Sequence, residues 1–121
     1  MPVSIKKTHD NGESFTAAIQ VTADACRSSF SVQDSPGTIF TFYIKTDDTL
    51  LYFKKTYDHG QSFSVESSIV VDGDVHEKFY QISSVIITNG VIWVFTLMVN
   101  GTYRIYMSYD KGGTWSYKSV T

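Results

Sequence analysis

Three stretches of this chain spell nearly the same turn: KKTHDNGESF at 6–15, KKTYDHGQSF at 54–63 and YMSYDKGGTW at 106–115. A turn recurring at intervals far longer than a hairpin marks a repeated supersecondary unit, and such a repeat constrains architecture before any single residue does. The central aspartates, Asp10, Asp58 and Asp110, lie 48 and then 52 residues apart. Superimposed on the last two aspartates, IFTFYIKTDDTLLYFKKTYD (39–58) lies over VIWVFTLMVNGTYRIYMSYD (91–110) without a gap. Most apolar positions of the first stretch fall on apolar positions of the second, and the turn pair Asp47–Asp48 falls on Val99–Asn100. Further upstream, SSFSVQDSPG (28–37) matches SSVIITNG (83–90) with a two-residue difference in the turn.

Each unit reads as four short strands. In the middle unit they are expected near Ser29–Gln33, Ile39–Lys45, Thr49–Tyr57 and Ser62–Val71, separated by Asp-Ser-Pro-Gly, Asp-Asp and the repeated turn. Pro36-Gly37, Asn89-Gly90 and Asn100-Gly101 are strong turn signals. The aromatic-rich composition (8 Phe, 8 Tyr, 2 Trp) favours pleated sheet. No segment sustains a helical period; AIQVTADACR (18–27) comes nearest and is short. The chain is therefore all-β. Residues 28–79 and 80–121 are each a complete four-stranded unit, whereas 1–27 begins at Val3 with what corresponds to a third strand. Ten strands are expected within one domain spanning 1–121.

All three turns fit one pattern: Ser/Thr, any, Asp, any, Gly, any, Ser/Thr, aromatic. The Asp side chain accepts hydrogen bonds from backbone N–H groups of its own turn. The Gly supplies a positive φ. The hydroxyls bond across the strand ends, and the aromatic fills the space beneath the turn. The residues concerned are Asp10, Gly12 and Phe15; Asp58, Gly60 and Phe63; and Asp110, Gly112 and Trp115. This pattern resembles the Asp-box, or bacterial neuraminidase repeat, of sialidases, other glycosidases, sortilin-type receptors and many surface or phage proteins. The resemblance covers almost the whole chain. It implies about two and a half four-stranded antiparallel blades of a β-propeller, with the box between a blade's third and fourth strands. It also implies that the box aspartates are structural and remote from any active site.

A sialidase-like site would need three arginines, a Tyr nucleophile with a Glu partner and an Asp acid/base. This chain has two arginines, Arg27 and Arg104, so catalysis is not encoded in it alone. The expected function is a non-enzymatic, self-assembling module that binds carbohydrate or a surface. Two other readings stand beside it: a fragment or subunit of a sialidase-like glycoside hydrolase, and a purely structural scaffold such as a virion part. Trp93 and Tyr43 are the expected accessible aromatic platforms for a glycan, and Arg27, just before a first strand, and Arg104, in a third strand, are further ligand-binding candidates. The remaining aromatics (Phe40, Phe42, Tyr52, Phe53, Phe95, Tyr103, Tyr106) divide between the two faces of their sheets and are expected in the core.

Other chemistries are weakly signalled. Asp72, Asp74, His76 and Glu77 crowd one connection, but no EF-hand ligand series continues from them. No Cys/His spacing suggests zinc and no Gly-rich loop suggests a nucleotide, so no metal or cofactor is expected. Cys26 is alone, without a disulfide framework, and reads as a small apolar residue near a strand end. Asn100-Gly101-Thr102 is a glycosylation sequon in a turn. A net charge of −2 gives no pull toward nucleic acid or an anionic membrane. The longest apolar run (91–99) is too short for a membrane-spanning helix. The opening residues lack a signal-peptide core; the family resemblance favours an extracellular or virion-associated setting.

Two and a half blades do not close a propeller, for which four to eight is usual. A stack ended early leaves apolar faces wet and an edge strand unpaired. Homo-oligomerisation, or completion by the remainder of a larger propeller, is therefore expected.

Overall fold

The computed structural model describes residues 3–6, 19–69 and 78–120. The first repeated turn, with Asp10, Gly12 and Phe15, lies outside the described residues, as does the acidic segment holding Asp72, Asp74, His76 and Glu77.

The described chain is all-β. A two-stranded sheet pairs β1 (Val3–Ile5) with β2 (Ile19–Thr22). A middle sheet runs β3 (Cys26–Ser35), β4 (Thr38–Lys45), β5 (Leu51–Thr56), β6 (Ser67–Ser68). A last sheet runs β7 (Phe79–Thr88), β8 (Val91–Met98), β9 (Tyr103–Ser108), β10 (Ser116–Val120). All neighbours are antiparallel and follow chain order, so each sheet is a simple meander. The turn signals act as their chemistry requires. Asn89 and Gly90 both take positive φ in a two-residue hairpin between Thr88 and Val91, the geometry that matches strand twist.

The sheets stack face to face. Phe40, Phe42, Ile44, Leu51 and Phe53 of the middle sheet form one core with Ile82, Val85, Ile92, Val94 and Tyr106 of the last. The first strands β3 and β7 run against one another, and Ile82 N–H donates to Ser28 Oγ across that seam at 3.0 Å. On its other face the middle sheet places Tyr43, Tyr52, Ile39 and Phe63 against Val3, Ile5 and Val21 of the β1–β2 hairpin. The middle sheet is thus covered on both sides.

Three boundaries differ from the sequence expectation. β3 is longer than Ser29–Gln33 because its bulged ladder with β4 runs on to Cys26 and Ser35. β5 begins at Leu51, since Thr49 takes a φ of 55° and belongs to the turn. The fourth strand, expected over Ser62–Val71, is regular only at Ser67–Ser68 within the described residues. Ser62 is held by the turn instead, and Ser64 pairs with Lys55 partly through its side chain, accepting the Lys55 N–H on Oγ.

The gapless alignment of the two units also fails, by one residue. Phe53 and Ile105 each stand five residues before their turn aspartate. Phe53 pairs with Phe42, but Ile105 pairs with Phe95 and not with Val94. The β4–β5 connection (46–50) is one residue longer than the β8–β9 connection (99–102). The structural equivalents of Phe40, Phe42 and Ile44 are therefore Trp93, Phe95 and Leu97. Because side chains alternate across a strand, this single residue exchanges the faces of the whole of β8.

Candidate functional site

The repeated turns come first, since sequence placed the most chemistry there. In the middle sheet, Asp58 accepts the Ser62 N–H (2.9 Å) and Thr56 hydroxyl (2.7 Å) on Oδ1, and the Ser62 hydroxyl on Oδ2. In the last sheet, Asp110 accepts the Thr114 N–H (2.8 Å) and Ser108 hydroxyl (2.9 Å) on Oδ1, and the Thr114 hydroxyl (2.8 Å) on Oδ2. The leading hydroxyl then accepts the glycine N–H: Gly60 to Thr56 at 2.9 Å and Gly112 to Ser108 at 2.8 Å. The bonds to the carboxylate and from the glycine N–H are the same in both clasps, and the Asp58 turn adds one from the Asp58 N–H to Thr56 Oγ1 at 3.3 Å.

That wiring fixes the electrostatics. The Ser62 hydroxyl and N–H, followed by the Thr56 hydroxyl, hold the Asp58 carboxyl down at about 2. The Thr114 N–H and hydroxyl, then Ser108, do the same for Asp110, also at about 2. A carboxylate held ionised by three donors is a poor proton shuttle near neutral pH. Each clasp belongs to its own sheet, Asp58 between β5 and β6 and Asp110 between β9 and β10.

Two features of the clasp were not legible in the sequence. The residue before each glycine is also left-handed, His59 at φ 60° and Lys111 at φ 58°. The closing aromatic does more than fill the space beneath its own turn: it reaches the preceding sheet. Trp115 meets Phe42 (6.1 Å) and Phe53 (5.8 Å) edge-on, and Phe63 packs with the hairpin's cluster. A Cβ on Gly112 would stand 2.8 Å from the Phe53 ring, so the clasp glycine serves sheet-to-sheet approach as well as turn geometry. Lys111 adds an ion pair with Asp34 of β3 at 2.7 Å.

The four residues marked for ligand contact are scattered. Tyr43 is a correction: it is fully buried between the middle sheet and the hairpin, not an accessible platform. Its hydroxyl donates to Glu66, which also holds Lys45 at 2.7 Å, and Lys45 reaches Asp24 at 3.1 Å. Burial, then Glu66, drives the Tyr43 hydroxyl pKa up. A tyrosine nucleophile needs the opposite shift and an open path to substrate. The same pocket lifts Tyr52 to about 12, through burial and its bond to Asp48. Cys26, at the edge of this cluster, has its thiol pKa raised by burial, which suits a packing residue and not a nucleophile.

Arg104 is turned toward its own sheet, its guanidinium 4.2 Å over the Tyr117 ring and its Nη1 donating to the Tyr106 hydroxyl at 3.0 Å. Trp93 is partly exposed on the outer face of the last sheet. Arg27 is the one of the four that lines an open polar cleft. Its guanidinium lies 4.8 Å over the Tyr80 ring, and with Ser28, Tyr80 and Gln81 it bounds a cleft of about 340 Å³ at the β3–β7 seam. Tyr80 remains 48% exposed. Sequence reasoning missed Tyr80 and Gln81, because only the packing of two first strands brings them to Arg27. Among the described residues no cluster of His, Cys, Asp and Glu could hold a metal ion.

Compared with known proteins, the chain matches no family model, no curated protein and no solved structure.

Proposed function

We propose that this chain is a non-catalytic, self-assembling Asp-box module whose sheets are blades of propeller type, and that it binds carbohydrate. The order of strands within each four-stranded sheet, the clasp between third and fourth strands and the side-by-side first strands support the blade reading. The observation that carries the ligand reading is the Arg27–Tyr80 cleft. It offers an exposed aromatic ring, a guanidinium, an amide and a hydroxyl within one opening. Sugars are recognised by that combination, a ring to stack on and polar groups to take the hydroxyls. Trp93, partly open on another face, is not part of this cleft.

A glycan array probed with the intact protein tests the reading, with Tyr80→Ala and Arg27→Ala as paired variants. Binding to a defined set of glycans, lost by roughly tenfold or more in both variants, is the expected result. No glycan signal, or a signal indifferent to both changes, would overturn it. Turnover of a fluorogenic sialoside would instead favour the hydrolase alternative.

A further inference from the structure

The middle sheet and the last sheet carry the same kind of face, but only one is covered. Phe40, Phe42, Ile44, Leu51 and Phe53 are each at most 3% exposed because the last sheet lies on them. Their structural equivalents are Trp93, Phe95, Leu97, Tyr103 and Ile105, which the registers place together on the outer face of the last sheet. No described residue of this chain covers that face as the last sheet covers the middle one. Tyr103 is 53% exposed, and on the edge strands of the same sheet Val120, opposite Tyr103, and Ile86, opposite Trp93, are 48% and 47% exposed. A shallow apolar hollow of about 240 Å³ opens there between Phe95, Tyr103, Ile105 and Val120. Contiguous apolar surface of this kind marks an interaction site.

We infer that this face docks a second copy of the same chain through the same face, about a two-fold axis. This deepens the self-assembling part of the reading above. The argument for the occupant is continuity: the chain already builds one interface on this set of positions, and the last sheet presents the set again. The argument for two-fold pairing is what the other end offers. Among the described residues, the free side of the β1–β2 hairpin shows Ser4 and Gln20, which pair with each other and are exposed, with Lys6 exposed beside them. A head-to-tail stack would press the Trp93–Ile105 face onto that polar surface and strip water from groups left without partners. An isologous contact meets apolar with apolar and closes after two copies. Of the charged residues near it, Lys118 stands on the edge strand β10 at the rim, and Arg104, which also lines the hollow, has its guanidinium engaged by the Tyr117 ring and the Tyr106 hydroxyl.

Multi-angle light scattering over a micromolar concentration series decides it. The expected particle has twice the mass of one chain. Ile105→Arg should convert it to a monomer with an unchanged far-ultraviolet spectrum. Tyr103→Lys, at a side chain already more than half exposed, should raise the dissociation constant at least tenfold even where Ile105→Arg fails to fold. A wild-type monomer, a species of three or more copies, or a dimer indifferent to Tyr103→Lys would each overturn the inference. The glycan array reads the other half separately: glycan binding by a monomer would sink the dimer and leave the ligand reading intact, and a dimer blind to glycans would do the reverse.

Discussion

The middle and last sheets are built from the same plan, yet they live under different conditions. Phe42 sits in a closed aromatic cluster, 5.5 Å from Phe53 and 6.1 Å from Trp115. Phe95 occupies the equivalent position and is partly exposed. The local clasps match in their carboxylate bonds, with corresponding donors on the same oxygens. What separates the two sheets is therefore their company and not their internal wiring. Repeat proteins behave this way in general, since each unit supplies intrinsic stability and each neighbour adds an interface.

The contrast can be broken most directly in the core. Phe42→Ala should lower the unfolding free energy by about 3–5 kcal/mol, the usual range for emptying a buried aromatic site. Phe95→Ala, followed by chemical denaturation at concentrations where the protein is monomeric, should cost less than half as much. Equal losses would mean that the outer face is as well covered as the inner one.

The clasp glycine sharpens the comparison at the seam. Gly112→Ala forces a Cβ onto the Phe53 ring at a φ of +94°, and a loss of about 1–3 kcal/mol is expected from backbone strain alone. Gly90→Ala, with a φ of +78° and open space around it, should fall at the lower end of that range. Thermal unfolding of the two variants checks the ordering.

The smallest effect is shared equally by both sheets. Asp58 and Asp110 each titrate near 2 in the folded chain, below the ordinary value of 3.8. A depressed carboxylate pKa adds stability that is fully present above about pH 4 and disappears as pH falls through 2. Acid titration of stability should therefore show a loss confined to that window. Asp58→Asn and Asp110→Asn should each remove part of it, by similar amounts. A loss near pH 6 would place the acid sensitivity outside the clasps, and one carried by a single aspartate would mean that the two clasps are not equivalent.

How much of this was legible in the residues can be traced position by position. The aspartate-centred turn was, because each of its bonds links groups at most four residues apart and such local chemistry is written in the local string. The hydroxyls, expected to bond across the strand ends, instead donate to the carboxylate. The order of the ten strands among the described residues was legible too, from turn signals and alternation. The face assignment of β8 was not. Phe40 over Ile92 and Phe42 over Val94 both match apolar with apolar, so the slip of one residue shows only further along, where Ile44 falls on Thr96 and Lys45 on Leu97. The placement of Tyr43 was misread for a related reason: both faces of the middle sheet are covered, and alternation alone does not tell a covered face from an open one. The Arg27–Tyr80 cleft joins residues from two units, and no motif spans them.

The sequence by itself determined the strand succession and the repeated aspartate turns, since both follow from hydrogen bonds and backbone preferences that act over a few residues. Tertiary structure alone decided which aromatics are sealed, that Gly112 must admit the Phe53 ring, and that the outer face of the last sheet is left uncovered by the described chain. The reason is geometric. Strand side chains alternate with a period of two, so a connection shorter by one residue reverses a strand's faces, and only the packed sheets reveal which face has found a neighbour.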